Sequence, residues 1–445
     1  PLIAWVIYLY TSIFGESFQA LKHLPILIYF LTSFAIYAFC KRLNLDTGLS
    51  ALCSLSFLIM PAVSLSSFIV STDVLLLLFW TLSMSSLLQI KEKPSNLNFT
   101  ILGIMLGMGF LSKYAIVYFI ILISIFWILY DRNKIIKLNS LATSLIIALI
   151  IISPNIYWNI QNGLSTLQHT IHNADITGFY FNLDQAIIFF SSQFIVFGPV
   201  LFLIYILAVW NYFSKKLNLA LLAMLSLPIL FLILVQALLK TANANWAVTA
   251  YPAACILISG LLTKKHYFLN FIIWLGILIN FLIFILIFKI SITGNLDPIT
   301  LKSDPLRKLK GFQSQAISIK STIEFEKISG IIFDKRSDIT RFNYYLNRNE
   351  KKKYKIYFLS NNLIPNNHYE YFYNFKINNF DSDKNFIIVT RNQGLDKDFM
   401  HLFSELEMLN KFEIQNLSLS KKYKIKSFSD VDLSYFDNDL LKNDL

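Results

Sequence analysis

YFLNFIIWLGILINFLIFILIFK, residues 267–289, decides the fold class. It carries no charge before Lys289, and it exceeds the roughly 20 apolar residues (range ~17–25) that a helix needs to cross a bilayer. Working outward, comparable runs lie near 23–43, 47–64, 66–89, 98–112, 114–130, 138–158, 187–210, 218–239 and 246–263. The sequence therefore predicts a polytopic α-helical membrane protein with about ten spans. Residues 2–14 form a shorter apolar stretch ended by Gly15-Glu16-Ser17, which reads as an interfacial helix.

Composition agrees. Of 445 residues, 55% are hydrophobic and 15% charged, with a mean hydropathy of +0.55. A soluble domain carries about 25% charged residues. The shortfall is uneven: residues 1–290 hold the apolar runs, and 291–445 look like ordinary soluble protein. Two domains follow, a multi-span region over 1–290 and a C-terminal α/β domain over 291–445. The net charge of +12 would suggest nucleic acid for a soluble protein. Here the basic residues sit at the ends of apolar runs, so no nucleic acid is expected and membrane lipids are the bulk partner. Cys40, Cys53 and Cys255 lie inside apolar runs without metal-ligand spacing and read as small hydrophobes.

Flanking charge sets orientation. Basic clusters at Lys41-Arg42, Lys91/Lys93, Arg132/Lys134/Lys137, Lys215-Lys216 and Lys264-Lys265 occupy every second junction. By the positive-inside rule those junctions are cytoplasmic. The same rule makes 98–130 a hairpin turning near Ser112-Lys113, because one long crossing would put a basic cluster outside. Gly103, Gly107 and Gly109 would let such helices approach closely. The chain opens mid-pattern on Pro1-Leu2-Ile3-Ala4-Trp5, so the true N-terminus is expected upstream. An even number of spans then puts Pro1 and the 291–445 domain on the outer, periplasmic side of a bacterial inner membrane.

In the C-terminal domain, 328–334, 355–360 and 385–390 are short runs rich in β-branched and aromatic residues and read as buried strands. Residues 337–348, 366–376 and 396–410 have helical patterns, and 412–427 reads as an edge hairpin. This alternation predicts a small α/β domain. Lys351-Lys352-Lys353 reads as a solvated turn.

Ionisable groups near a span are costly, which makes them functional candidates. On the outer side they are Asp73, Lys113, His169, His172, Asp175 and Lys240. Lys113 has no acidic neighbour in sequence; its ammonium could hold a phosphate, or it could snorkel to the interface. Lys240 precedes Thr241-Ala242-Asn243-Ala244-Asn245-Trp246, where amides and an indole could hold a sugar, or where Trp246 could belong to an aromatic belt. Asp73 follows Ser71-Thr72 at a helix start, which favours capping. Pro154 to Asn159 closes a span; Asn155 and Asn159, one turn apart, and Trp158 suit a glycan or a simple interfacial anchor. His169, His172 and Asp175 recur every three residues, as on a surface helix or a metal site. A divalent metal is thus a candidate cofactor with no assignable ligand set.

These stretches resemble the bacterial branch of glycosyltransferase family 39, which includes the protein O-mannosyltransferases. The pattern is similar to that of aminoarabinose-to-lipid-A transferases and lipopolysaccharide galacturonosyltransferases. Pro1-Leu2-Ile3-Ala4-Trp5 resembles the tail of the "HPPL-x-x-W" stretch. Leu24-Pro25 resembles "RLP", with Lys22-His23 departing from the usual Arg. Ser71-Thr72-Asp73 resembles "TPD", with Thr72 in the place of Pro. Leu111-Ser112-Lys113-Tyr114 resembles "LSKY", Pro154 to Asn159 "PNIxWN", and Asn245-Trp246-Ala247 with Tyr251-Pro252 "NWA…YP". Asp304-Pro305-Leu306 to Gly311-Phe312 resembles the "DPL…GW" that opens the outer domain.

The resemblance implies a GT-C fold, a polyprenyl-phosphate-linked sugar as donor, and a lipid or glycan acceptor of the lipopolysaccharide or lipid A type. It also implies a catalytic acidic residue upstream of the "PPL" stretch, so residues 1–445 alone are expected to lack transferase activity. Substrate binding falls to Asp73, Lys113, Tyr114, Asn155, Trp158, Asn159, His169, Lys240, Asn245 and Trp246. Two other readings compete. A transporter or flippase of lipid-linked sugars would carry charge at the membrane midplane and paired broken helices. A non-catalytic membrane protein would use its outer domain to bind a partner.

Overall fold

The computed structural model describes residues 1–130, 138–164, 166–167, 181–212, 217–262, 267–293, 312–325, 328, 330–347, 354–360, 368–374, 386–390, 403–413 and 419–428. The chain divides into two compact units. One comprises Pro1–Leu164 with Thr170–Thr293, the other Gly294–Leu445 with Ser165–His169.

The first unit is helical. Its described helices are α1 (Leu2–Phe14), α2 (Phe18–Arg42), α3 (Thr47–Leu58), α4 (Pro61–Ser66), α5 (Thr72–Glu92), α6 (Asn96–Ser112) and α7 (Ile116–Tyr130). They continue with α8 (Leu138–Gln161), α9 (Leu183–Phe197), α10 (Pro199–Tyr212), α11 (Leu217–Met224), α12 (Leu227–Leu239), a 3-10 turn (Ala244–Ala250), α13 (Tyr251–Ser259) and α14 (Tyr267–Thr293). Short polar residues start several of them. Ser17 Oγ accepts from Ala20 N at 3.0 Å, Asp46 Oδ1 from Leu49 N at 2.9 Å, and Asn182 Oδ1 from Gln185 N at 3.1 Å. Each satisfies a backbone donor that the first helical turn leaves open. Lys41 and Arg42 in the last turn of α2 complement the negative end of its dipole.

The ten apolar runs are not ten uninterrupted helices. By length and composition, five described segments can cross a membrane: Gln19–Arg42, Thr72–Glu92, Leu141–Gln161, Ala220–Leu239 and Tyr267–Thr293. A bent pair makes six. The run 47–64 is cut where Pro61 opens α4, α6 and α7 have 17 and 15 residues, and the run 246–263 starts as a 3-10 turn. The run 187–210 bends by 106° between α9 and α10. Helix α1, at 13 residues, is too short to span. Leu2 is buried, while Trp5, Tyr8, Leu9 and Ile13 are exposed.

The bend at Gly198 has an identifiable cause. Gly198 sits at φ +107°, a conformation that a side chain disfavours. Turning there strips the α9 carbonyls of their helical donors, which is costly without water. Asn280 of α14 supplies one: its Nδ2 donates to Phe197 O at 3.0 Å. A Cβ on Gly198 would lie 2.0 Å from Asn280 Oδ1.

Helices α6 and α7 are separate and touch, as the charge pattern requires of a turn near Ser112-Lys113. The glycines serve a partner that the sequence did not indicate. A Cβ on Gly103 would meet Ser144 O at 2.5 Å, and one on Gly107 would meet Ile151 at 2.9 Å, both on α8; only Gly109 faces α7, through Ile116. Ser144 Oγ donates to Phe99 O at 2.7 Å and pins the α6–α8 contact. Trp80 of α5 meets Phe119 of α7 edge-on at 5.0 Å. All three cysteines are buried and free.

The second unit holds α15 (Phe312–Phe325), β1 (Gly330–Phe333), α16 (Arg336–Asn347), β2 (Ile356–Phe358), α17 (His368–Tyr373), β3 (Phe386–Thr390), β4 (Phe403–Glu413) and β5 (Leu419–Phe428). The sheet order is β2-β1-β3-β5-β4. β1 runs parallel to β2 and β3; β5 runs antiparallel to β3 and β4. Ile331, Phe333, Ile387 and Val389 project to one face and pack on Phe312 of α15 and Ile339, Phe342 and Leu346 of α16. The three expected strands and the helices at 337–348 and 366–376 are present. The expected helix over 396–410 is not: residues 403–413 form β4. Register shifts between Phe403/Glu405, Glu405/Leu406 and Met408/Asn410 add residues to the strand, so its apolar positions lose the period of two and mimic helical spacing. Lys351 to Lys353 lie outside the described residues.

Candidate functional site

Asp73 stands in the first turn of α5. Ser71 is the N-cap residue, and its side chain makes no capping bond. Asp73 does not cap the helix either, contrary to the sequence reading. Its carboxylate turns to two other elements. Lys113 Nζ donates to Asp73 Oδ1 at 2.6 Å, and Asn245 Nδ2 donates to Asp73 Oδ2 at 2.9 Å. Lys113 is the extended residue that ends α6, and Asn245 is the second residue of the 3-10 turn. Three segments far apart in sequence thus meet on one carboxylate.

Lys113 is therefore not the lone ammonium that its sequence neighbourhood suggests. The Asp73 side chain keeps 12% of its surface and Lys113 keeps 32%. A charge pair at this depth is weakly screened. The carboxylate fixes the position of Lys113 Nζ, and an ammonium has three donors, so donors remain for a further anionic oxygen. The positive end of the α5 dipole also favours a negative charge at Asp73.

The cluster lies at one end of the bundle. Helix α5 ends at Glu92, which pairs with Arg42 at 3.6 Å, so the Lys41-Arg42 and Lys91/Lys93 clusters share the opposite end. Asp73 and Glu92 are nineteen residue steps apart, about 29 Å of helix at ~1.5 Å each. That is close to the ~30 Å thickness of a bilayer's hydrocarbon core.

The other expected site residues are placed variously. Lys240 follows α12 and is 8% exposed, a depth at which a charge needs partners. Trp246 packs partly on the core. Tyr114 lies 4.7 Å from Phe110, ring centre to ring centre. Asn159 is buried, and its Nδ2 donates to Asn155 O at 2.9 Å along a helix that runs through Pro154; Trp158 is exposed. The helix continues through both residues, so Asn155 and Asn159 share a face as expected. His169, His172 and Asp175 lie outside the described residues. Among the described residues, no group of three or more His, Cys, Asp or Glu is placed to hold a metal.

Two residues escaped the sequence reading. Tyr29 of α2 is almost wholly buried, and its hydroxyl hydrogen-bonds Ser66 Oγ at 2.7 Å. Gln193 of α9 is fully buried; its Nε2 reaches Ala244 O and Phe189 O, each at 3.2 Å, and its Oε1 accepts from the Tyr251 hydroxyl. An amide inside the run Ile187 to Val196 was the available signal.

Residues 1–158 match the family described as dolichyl-phosphate-mannose-protein mannosyltransferase. Asp73 and Lys113 fall within that match; Asn245 does not. The chain is 30% identical over 268 residues to the lipid A galacturonosyltransferase RgtD of Rhizobium johnstonii, an alignment that covers 60% of this chain and 56% of that relative. The crystal structure of ArnT from Cupriavidus metallidurans in the apo state superposes with a TM-score of 0.63 at 11% identity, covering 95% of this chain and 87% of that one. The fold is GT-C-like. The resemblance to glycosyltransferase family 39 read from the sequence motifs is supported by the family match over residues 1–158 and by the likeness to RgtD.

Proposed function

We propose that this chain acts as a membrane glycosyltransferase that moves a sugar from a polyprenyl-phosphate donor onto lipid A or a related glycan acceptor. The observation that carries the reading is the meeting of Lys113, Asp73 and Asn245 at the end of the bundle opposite the Lys41-Arg42 and Lys91/Lys93 clusters. By the positive-inside rule that end faces the periplasm, and the C-terminal domain is read as periplasmic from the Lys264-Lys265 pair ahead of the last span. The similarity to a lipid A galacturonosyltransferase supports the acceptor class.

The chemistry follows from the charges. Breaking the glycosidic bond to a lipid phosphate develops negative charge on the departing oxygen. A fixed ammonium stabilises that charge more than it stabilises the ground state. Lys113 is such an ammonium, and Asp73 and Asn245 hold it in place. Both oxygens of Asp73 already accept hydrogen bonds, so its role is to orient Lys113 rather than to take the acceptor's proton. Direct displacement by the acceptor hydroxyl forms its bond to the anomeric carbon as the bond to the lipid phosphate breaks, inverts that centre, and passes the hydroxyl proton to the departing phosphate or to water. Lys240, Trp246, Tyr114 and Trp158 are candidates for holding the sugar and the donor phosphate.

The test is transfer by the full-length gene product in a bilayer, using a polyprenyl-phosphate-linked sugar and lipid A. Transfer that falls by about a hundredfold or more in Lys113→Met supports the reading. Undiminished transfer in that variant, properly folded, would remove Lys113 from the chemistry.

A further inference from the structure

We propose that Gln193 is a positioning residue for this site: it grips both ends of the 3-10 turn and so keeps the Asn245 amide on Asp73. The proposal rests on the transferase reading above. Gln193 lies one turn before the end of α9 and has no exposed surface. An amide in such surroundings must spend its polar atoms, because an unpaired one is costly there. Its bonds run to Phe189 and Ser192 on its own helix, and to Ala244 O and the Tyr251 hydroxyl outside it.

Those last two are informative. Ala244 is the first residue of the turn, and Tyr251 follows its last. The turn is seven residues long, whereas 3-10 runs beyond about four residues are uncommon because their hydrogen bonds are poorly aligned. A turn of this length needs outside support, and one side chain provides it at both ends. Asn245 is the neighbour of the gripped Ala244 carbonyl and is itself exposed. A shift of Ala244 therefore carries Asn245 off Asp73 Oδ2, and the carboxylate that orients Lys113 loses one of its two supports. Gln193 acts only through the turn.

The experiment uses the full-length protein in a bilayer, with Gln193→Leu, Asn245→Ala and the combination of the two. It measures kcat and KM for a polyprenyl-phosphate-linked sugar, and amide exchange of the peptide spanning 244–251. Gln193→Leu is expected to lower kcat by between about ten- and a hundredfold, with KM for the donor near the parent value. Exchange over 244–251 should quicken, and the combined variant should be no slower than Asn245→Ala alone. Tyr251→Phe releases one end of the turn without a cavity, and serves if Gln193→Leu does not fold. Losses that multiply in the combined variant, or unchanged exchange over 244–251, overturn the proposal. If the turn is released but transfer is normal, the positioning role is also lost. If Asn245→Ala and Lys113→Met both transfer at the parent rate, the transferase reading of the site falls instead, and exchange alone decides whether Gln193 holds the turn.

Discussion

Asp73 divides its two carboxylate oxygens between two partners: Oδ1 faces Lys113 Nζ at 2.6 Å and Oδ2 faces Asn245 Nδ2 at 2.9 Å. The pair is uneven in depth, since the Asp73 side chain retains 12% of its surface and Lys113 retains 32%. Each partner therefore tolerates the loss of the other differently.

Removing the cation leaves a carboxylate that water reaches poorly. Removing the carboxylate leaves an ammonium on a long stem that can swing to water. Lys113→Met is expected to cost about 2–3 kcal/mol of stability and Asp73→Asn about 1 kcal/mol, with much of the loss recovered in the double variant. Thermal unfolding in one detergent, with all variants side by side, checks the order. Equal losses would mean that the pair is as wet on one side as on the other.

Gly198→Ala meets two obstacles. Its φ of +107° disfavours any side chain, and the new Cβ would overlap Asn280 Oδ1. A loss of more than ~2 kcal/mol is expected. Adding Asn280→Ala removes the overlap but not the backbone strain, and it leaves Phe197 O without its donor. The double variant should thus stay below the parent. Recovery of full stability would show that the bend does not need glycine.

The glycines of α6 should rank by what their Cβ would strike. At Gly103 it meets the Ser144 backbone carbonyl, which cannot turn aside; at Gly109 it meets Ile116 Cγ1 and Cδ1, which can. Gly103→Ala is expected to cost ~1–3 kcal/mol and Gly109→Ala less than ~1 kcal/mol. Because α6 ends at Lys113, Gly103→Ala should also depress transfer. Unfolding midpoints together with transfer rates test both halves.

The Arg42–Glu92 pair gives a control. It spans 3.6 Å with side chains 41% and 49% exposed, so Glu92→Gln should change stability by no more than about 0.5 kcal/mol. A larger drop in the unfolding midpoint would show that the contact ties α2 to α5.

Much of the fold was legible because membranes impose local rules. Length and apolarity mark a span wherever it stands, and Lys41-Arg42 or Lys91 mark its end without reference to any other helix. The three strands of the C-terminal domain were legible because short runs of β-branched and aromatic residues are also a local signal. β4 was not, because its bulges depend on pairing with β5. The bend at Gly198 was only half legible: Gly198-Pro199 marks a break in the run 187–210, but the donor that lets it persist in a membrane comes from Asn280, 82 residues on.

The sequence by itself determined that this is a polytopic helical membrane protein with an α/β domain behind it, and it named Asp73, Lys113 and Asn245 separately as candidates. Only the tertiary structure decided that they are one site. Hydropathy and capping act over one turn or one span, so they can be read along the chain. An ion pair between residues 73 and 113, and an amide brought to it from residue 245, depend on which helix ends are packed together. That packing is fixed by close contacts such as Gly103 on Ser144 and Gln193 on Ala244, which no local pattern encodes.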